Sequence, residues 1–165
     1  MISCDASTLI LLAKSDLLKE TLLDFEIIIT EIVRKECTVK DTFDSKLIQT
    51  LISSEKIRVE KGSSKKEIDR IMKDFNINAG EASALLLAKK KQIPLATDDG
   101  LTIKASKLLG IPFLTAIHFV VHIFERGIIA DREMALVKIE NVATFGRYNH
   151  RIVESAISRI KGEKQ

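Results

Sequence analysis

The sequence has only two cysteines and no long apolar run. Cys4 and Cys37 have no histidine in their local sequence that could activate a thiolate, so we interpret both as reduced, small apolar residues. The apolar runs are too short, and too often interrupted by charged residues, to span a membrane. No signal peptide precedes the first predicted strand. We therefore expect a cytoplasmic protein without a disulfide framework or a membrane segment.

The chain also has little excess of either charge. It contains 26 Lys and Arg residues against 23 Asp and Glu residues, which gives a formal net charge of +3. This balance does not indicate a strongly basic nucleic-acid binder, so any basic surface must be local. With 165 residues, of which 45% are hydrophobic, the chain has the size of one domain and enough apolar residues for a core.

Several common catalytic motifs are missing as well. The sequence contains no phosphate-binding glycine loop, no Gly-x-Ser-x-Gly turn and no His-Glu-x-x-His helix. It also contains no internal repeat and no low-complexity tract. Any chemistry must therefore come from residues that are separated in the sequence.

Strand and helix patterns alternate from the N-terminus to about Ala116. Short apolar segments predict strands at 1–5, 26–30, 56–60, 93–97 and 112–115. Helical patterns lie between them at 7–18, 31–36, 44–53, 65–75, 78–90 and 100–109. This alternation predicts a three-layer α/β fold, with a central parallel sheet of about five strands flanked by helices.

From Ile117 onward the periodicity is only helical. It predicts helices at 118–126, 131–140 and 149–160, with a loop over 141–148. We therefore interpret 1–165 as a single domain with two parts, an α/β core over 1–117 and a helical C-terminal extension over 118–165.

Acidic residues lie at the ends of two of the predicted strands. Asp5 is the last residue of the first predicted strand, and Asp98 and Asp99 follow the fourth. The C-terminal ends of parallel strands form the edge of an α/β sheet where ligands bind. Two like charges at roughly 4 Å repel by about 4 kcal/mol at an effective dielectric constant near 20, so such a cluster needs a neutralising partner. A divalent cation is the simplest partner.

Each candidate acid also has a structural alternative. Asp5 could cap the following helix, although Ser7 and Thr8 are available for that role. Glu81 fits a capping box that begins at Asn78. For Glu81, the local sequence leaves the cap and the metal ligand as equal alternatives.

The remaining acids depend more on their context. Glu36 lies inside a predicted helix, and its local sequence indicates only a solvated residue. Asp98 and Asp99 are adjacent, and adjacent side chains of an extended segment point in opposite directions. We expect Asp99 to face the site and Asp98 to cap the next helix.

Taken together, these segments resemble the PIN-domain nucleases in order and in context. The matching elements are Asp5-Ala6-Ser7 after the first strand, Val33-x-x-Glu36 after the second, Gly80-Glu81-Ala82 at a helix start, and Thr97-x-Asp99 with Leu108-Leu109-Gly110-Ile111 downstream. The resemblance covers roughly residues 1–117. Each element is weak alone, but the ordered series is fairly specific.

The resemblance implies an acidic site for Mg²⁺ or Mn²⁺, in which the metal activates a water to attack a phosphodiester and neutralises charge on the phosphate. Hard oxygen ligands suit these ions. The implied catalytic residues are Asp5, Glu36, Glu81 and Asp99. The predicted metal ligands are Asp5, Glu81 and Asp99, together with the neighbouring Asp98. On the substrate side we place the hydroxyls of Ser7 and Thr97, which match positions that hold the acids, and Lys104, which could approach a bound phosphate.

The same resemblance implies a metal-dependent endoribonuclease, and many family members are toxins that an antitoxin protein inhibits. A homodimer is also implied. The helical extension departs from the compact toxin pattern, and it could close a dimer, bind RNA or shield the site. The alternative is a PIN-like module that binds RNA or a protein without cleaving. A third candidate is a nuclease for DNA, since the sequence does not reveal a preference for the 2′-hydroxyl.

Two features of the extension have competing interpretations. His118 and His122 are four residues apart on a helix, which could place two imidazoles on one face for a metal, but polar or partly buried helix histidines fit better because no third ligand is nearby. A second feature is a basic run that includes the only tyrosine. It comprises Arg147, Tyr148, Arg151, Arg159, Lys161 and Lys164. This run could contact RNA or form a solvated helix face.

Overall fold

The computed structural model describes residues 1–163 and contains one five-stranded parallel sheet. Its strands are β1 (Ile2–Cys4), β2 (Ile27–Thr30), β3 (Ile57–Glu60), β4 (Leu95–Ala96) and β5 (Phe113–Leu114), in the order β3-β2-β1-β4-β5. All neighbouring strands pair in parallel, and helices flank the sheet. The predicted α/β fold is therefore confirmed, although several strands are shorter than predicted.

The helices of residues 1–163 are connected to the strands by short loops. They are α1 (Ala6–Lys14), α2 (Leu18–Asp24), α3 (Glu31–Thr38), α4 (Phe43–Ser53), α5 (Lys65–Phe75), α6 (Ala79–Lys91), α7 (Gly100–Leu108), α8 (Ala116–Glu125), α9 (Arg132–Phe145) and α10 (His150–Lys161). Most begin at a residue whose side chain accepts a hydrogen bond from an amide of the first turn, which satisfies groups that helix formation leaves unpaired. These caps are Asp5, Thr30, Ser64, Asn78, Asp99, Asp131 and Asn149.

Two predicted boundaries are wrong. The helix expected over 7–18 ends at Lys14 because Asp16 adopts a φ of 52°, a left-handed conformation that turns the chain into the unpredicted helix α2. The loop expected over 141–148 is helical up to Phe145. The buried side chain of Val142 continues the apolar face of α9 through this segment.

Strand β1 occupies the centre of the sheet and determines where the candidate acids meet. It pairs with β2 on one side and with β4 on the other, with Cys4 opposite Ala96. The amide of Asp5 then donates to the carbonyl of Ala96 over 3.1 Å. The residues that follow β1 and β4 therefore emerge side by side at the C-terminal edge of the sheet.

Helix α6 packs close to this central part of the sheet, where it contacts β1, β2 and β4. Its buried face consists largely of small residues, including Ala82, Ser83 and Ala84, which allow a close approach. The Ser3 hydroxyl donates to the carbonyl of Ala84 over 2.9 Å, which fixes α6 against β1. The start of α6, which carries Glu81, is positioned by this packing.

Helices α8, α9 and α10 pack together, as the predicted extension requires, and they also contact the core. The rings of Phe25 and Phe119 meet edge to face with centroids 5.0 Å apart. Lys138 on α9 is 4% exposed; its Nζ lies 2.8 Å from Glu20 Oε1 and donates to the carbonyl of Asp16. The buried ammonium group thus joins α9 to the turn between α1 and α2.

The two extension histidines contact different partners. His118 Nδ1 lies 3.0 Å from the Thr115 hydroxyl, and His122 Nε2 lies 2.7 Å from Asp24 Oδ2. These separate contacts agree with polar helix histidines rather than a shared metal site. Across residues 1–163, no helix has the length and apolar character needed to cross a membrane.

Candidate active site at the C-terminal edge of the sheet

Asp5 combines a structural contact with an unengaged oxygen. Its Oδ1 accepts hydrogen bonds from the amide of Thr8 over 2.8 Å and the hydroxyl of Ser7 over 3.1 Å, which caps α1. Its Oδ2 is buried and has no hydrogen-bond partner of ordinary geometry within residues 1–163. A buried carboxylate oxygen without a partner is costly, so this atom is the clearest candidate for a cation contact.

Asp99 repeats the same arrangement at the end of β4. Its Oδ1 accepts from both the amide and the hydroxyl of Thr102, over 2.8 and 2.9 Å, and this bond caps α7. The hydrogen bonds found in the described part of the chain leave its other oxygen unengaged. The pair of caps holds both aspartates at the same edge of the sheet.

Glu81 completes the pattern at the start of α6. One of its oxygens accepts from the amide of Asn78 over 2.9 Å, while the Asn78 side chain accepts from the amide of Glu81, which forms the capping box expected from the sequence. Only one carboxylate oxygen is used in this box. For all three acids, a helix cap therefore fixes one oxygen and leaves the second one free to bind another group.

Glu36 reaches the start of α6 because residue 80 is glycine. A Cβ atom built on Gly80 would lie 2.2 Å from Glu36 Oε2, which is far inside van der Waals contact. The Gly80 backbone also hydrogen-bonds to Glu36; burial raises the pKa of this carboxyl, and the bond from Gly80 opposes the rise. Glu36 on α3 is thus seated directly against the helix that carries Glu81.

We call four residues the acid cluster, because their charges act on one another: Asp5, Glu36, Glu81 and Asp99. Burial is the main cause that raises the pKa of Asp5, Glu36 and Glu81. The charge of Asp5 adds to this rise at Glu36, and the charges of Asp99, Asp5 and Glu36 add to it at Glu81. The chain therefore gathers four carboxylates whose charged forms disfavour one another.

The carboxylate of Asp98 is engaged by residues outside the acid cluster. Its carboxylate accepts from the hydroxyl of Thr8 over 2.9 Å, the amide of Ala116 over 3.1 Å and the hydroxyl of Tyr148. Burial raises its pKa, and the bond from Tyr148 acts in the opposite direction. The sequence predicts that Asp98 caps α7, but this prediction is wrong, because Asp99 forms the cap. Instead Asp98 joins α1, the start of α8 and the segment before α10.

Tyr148 is a residue that sequence reasoning placed only in a basic run. Its hydroxyl donates to Asp98 and accepts from the amide of Ile117 over 3.3 Å. Its being the only tyrosine in the chain was the single available signal, and nothing in its local sequence indicates Asp98 as the partner.

The predicted substrate-side residues fall into two groups. Ser7 and Thr97 lie against the acids: Ser7 donates to Asp5, and the Thr97 hydroxyl accepts from the amide of Asp99 over 3.3 Å. Burial raises the pKa of Asp5, and the Thr97 side chain opposes this rise. Lys104 is exposed on α7 and forms no ion pair with any residue in 1–163. Two of the three therefore support the acid cluster directly.

Both cysteines lie in the core, away from solvent. Both are free and buried. Burial, assisted by the charge of Glu36, raises the pKa of the Cys37 thiol to about 12. A thiol with such a pKa is protonated at neutral pH, which agrees with the interpretation as a small apolar residue.

The donor set of the acid cluster fits a hard divalent cation. Carboxylate oxygens are the ligands that Mg²⁺ and Mn²⁺ prefer, and the partnerless Oδ2 of Asp5 supplies a buried one. Within residues 1–163, however, no group of three or more His, Cys, Asp or Glu side chains is placed so that it could hold a metal ion. The acids are gathered at one edge but are not closed around an ion.

A comparison with known families gives a single clear result. The family model for the PIN domain matches residues 1–162. The chain belongs to the PIN-domain family. The match continues through the helical extension, beyond the part that the sequence motifs cover. No curated protein matches the chain.

Membership in this family agrees with the resemblance found in the sequence. PIN domains are mostly metal-dependent nucleases and typically use divalent metals. In this PIN domain, three of the four acids are held by helix caps and the fourth by contact with Gly80. The local structure thus supplies the acidic edge on which such chemistry depends.

Proposed function

We propose that this PIN domain is an endoribonuclease that hydrolyses RNA with Mg²⁺ or Mn²⁺ bound at the acid cluster. The observation that supports it best is the shared arrangement of Asp5, Glu81 and Asp99, each with one oxygen fixed by a cap and the other unengaged. A stable fold does not require four interacting carboxylates in one place, because their repulsion opposes folding. A cation would remove that repulsion.

The acids would divide the work according to their burial and contacts. Asp5 and Asp99 would be the principal ligands, and Glu81 and Glu36 would bind directly or through water. A divalent cation bound there supplies an activated water and neutralises charge on the phosphate. Ser7 and Thr102 hold the two aspartates in place. We assign Asp98 a positioning role, since both its oxygens accept hydrogen bonds from the protein.

A second candidate function has one observation in its favour. Because no group in residues 1–163 is already placed to hold a metal ion, a PIN-like module that binds RNA or a protein without cleaving also fits. The toxin role, an antitoxin partner, a homodimer and a cytoplasmic location stay predictions from the family resemblance.

The test incubates a mixed RNA pool, and DNA of the same sequences, with wild type and Asp5→Asn. Asparagine caps helices as well as aspartate does, so the variant should keep α1 while it loses the charge. With Mn²⁺ or Mg²⁺ we expect wild type to cut RNA and Asp5→Asn to cut at least about 100-fold more slowly. Asp69→Asn, an exposed acid on α5, is the matched control and should cut like wild type.

Each other result has a defined meaning. Cleavage that survives chelation, or that survives in Asp5→Asn, would reject the metal mechanism. If wild type retains RNA but never cuts it, the binding module replaces the nuclease. Faster cutting of the DNA strands than of RNA would replace the substrate class.

A further inference from the structure

A cavity of about 490 Å³ lies between α7, β5, α8 and α10. Its walls include the apolar side chains of Ile103, Ile117 and Val121. The basic side chains that line it are Lys107, His118, Arg147, Arg151 and Arg159. We call it the basic pocket. Its volume is within the range of small-ligand sites, which are typically apolar with a few polar groups.

The basic pocket is adjacent to the acid cluster. Asp98 and Tyr148 line the pocket, while the next residue, Asp99, belongs to the acid cluster. Consecutive Cα atoms are about 3.8 Å apart, so the two sites share the end of β4. A single extended molecule along this edge of the sheet would contact both.

The cations of the pocket are only partly neutralised. Arg159 pairs with Glu125 over 2.6 Å, and Lys107 Nζ lies 5.7 Å from the centre of the Phe113 ring. Arg147 and Arg151 are exposed, and neither forms an ion pair with the residues in 1–163. Burial, and next the charge of Arg159, lowers the pKa of His118, as expected in a positive field.

Among the described residues, Asp98 is the only acid that lines the pocket, so one carboxylate stands against the four cations Lys107, Arg147, Arg151 and Arg159. Asp98 accepts hydrogen bonds from Thr8, Ala116 and Tyr148, so its carboxylate is already engaged. The chain as a whole carries a formal net charge of +3, and the four cations and one acid of the pocket give the same excess, so the rest of the chain is neutral. An anionic ligand is therefore expected.

An apolar interior with guanidinium groups at the rim fits a nucleotide. A base has flat apolar faces that would fill the interior, and arginine pairs with phosphate through parallel hydrogen bonds. An acidic peptide would use the arginines but would leave the apolar walls unfilled.

We propose that the basic pocket binds one nucleotide of a single-stranded RNA, with its phosphate on Arg147 and Arg151 and its base against the apolar walls. The pocket thereby determines which nucleotide lies beside the acid cluster. This role in cleavage rests on the proposed nuclease function, but binding itself does not.

The test measures the affinity of a fluorescent single-stranded RNA of mixed sequence, in chelator so that no cleavage occurs. The double variant Arg147→Gln/Arg151→Gln should raise the Kd roughly tenfold or more. The slope of log Kd against log salt should fall by about 0.7, since the two arginines share one phosphate and each phosphate neutralised on a single strand contributes roughly 0.7. Arg70→Gln/Arg132→Gln removes the same charge from exposed positions outside the pocket and should change the Kd much less.

A further variant tests whether the base packs against the apolar walls of the pocket. Ile152 lines the pocket and is 46% exposed, so Ile152→Ser should fold normally. It should weaken RNA binding without a change in the salt slope, because it removes an apolar contact and no charge. An unchanged Kd would mean that the base does not pack against the apolar walls of the pocket.

The remaining outcomes separate this inference from the nuclease proposal. If wild type cuts RNA and the arginine double variant binds and cuts equally well, the pocket inference is wrong and the nuclease stands. If wild type never cuts but the double variant loses binding, the pocket stands without the nuclease. If a glutamate-rich peptide of matched charge displaces RNA as well as unlabelled RNA does, the pocket recognises charge alone, and the nucleotide assignment is overturned.

Discussion

The acid cluster and the basic pocket are neighbours that are built in opposite ways. Each capped acid of the cluster is fixed by a bond to a residue three positions away: Asp5 to Thr8, Asp99 to Thr102 and Glu81 to Asn78. The pocket instead takes its side chains from α7, β5, α8, α10 and the segment before α10. The cluster therefore depends on local structure, and the pocket depends on the packing of the extension.

The two sites differ in electrostatics as well. Burial raises the pKa of Asp5, Glu36 and Glu81, so the charged forms of these carboxyl groups are disfavoured. The arginines of the pocket are exposed at its rim, where water screens their repulsion. Changes in the cluster should consequently alter activity more than stability, whereas changes at the contact between the two sites should alter stability.

The largest effects are expected for substitutions of Asp98 and Asp99, the adjacent aspartates at the boundary between the two sites. Asp99→Asn should lower kcat/KM for RNA by about 100-fold or more, with little change in stability, because asparagine still caps α7. Asp98→Asn should lower the free energy of unfolding by about 1 to 3 kcal/mol, since three donors lose a charged acceptor. Its activity should fall much less. Cleavage kinetics with Mn²⁺ and urea unfolding measure both quantities.

One result would contradict this assignment of the two aspartates. If Asp98→Asn lost as much activity as Asp99→Asn while its stability was unchanged, Asp98 would be a metal ligand, as the sequence predicts. The boundary between the two sites would then lie beyond Asp98.

A smaller effect is expected at Gly80. A methyl group there would displace the Glu36 carboxylate, because the Cβ position lies 2.2 Å from its Oε2. Alanine is favoured over glycine inside a helix by about 1 kcal/mol, so Gly80→Ala should fold at least as well as wild type. Its activity should fall roughly tenfold if Glu36 contributes to the cluster. Thermal unfolding and RNA cleavage are measured on the same sample.

Gly100→Ala supplies the matched control for this substitution. Gly100 follows Asp99 directly at the start of α7, yet a Cβ there would meet no atom within 4 Å. It should therefore retain activity. Equal activity in Gly80→Ala and wild type would show that Glu36 does not contribute to the activity of the acid cluster.

The smallest effect concerns pH in the protein without metal. Burial, and next the charge of Asp5, raises the pKa of Glu36, and burial also raises the pKa of Asp5 and Glu81. Above the ordinary carboxyl pKa values, the folded state binds more protons at these groups than the unfolded state. Their contribution to the free energy of unfolding should thus increase as the pH falls from neutral toward those values.

Glu36→Gln removes one of these titrating groups and should flatten the dependence. Urea unfolding in chelator at a series of pH values gives the slope, which is compared with that of wild type. Glu140→Gln, an exposed acid on α9, is the control and should keep the wild-type slope. Because Glu36 is exposed, water screens its charge and the difference should be small. Equal slopes in all three proteins would mean that Glu36 does not interact with the other acids.

The same division explains what could be predicted from the sequence. Asp5, Glu81 and Asp99 stood out because each lies at a strand end or a helix cap, and these signals are local. Cap and metal ligand looked like competing roles for Glu81, but a carboxylate has two oxygens, and only one is used in the cap. The two interpretations are compatible.

Other contacts could not be found from the sequence because they arise from packing. Glu36 meets Gly80 only when α3 packs against α6, and Tyr148 meets Asp98 only when the extension folds back onto the core. The basic pocket likewise has no local signal, and of the basic run, Lys164 lies outside the described residues. Helix α2 was missed because the left-handed turn at Asp16 has no glycine to mark it.

The ammonium group of Lys138 has a practical consequence for anyone who shortens the gene. Its partners, Glu20 and the carbonyl of Asp16, belong to the first two helices, and Phe119 covers Phe25 beside them. Expressing only residues 1–117 would uncover this apolar surface and leave Glu20 without its counter-ion. We expect such a fragment to aggregate, so recombinant forms of this protein should include α8, α9 and α10.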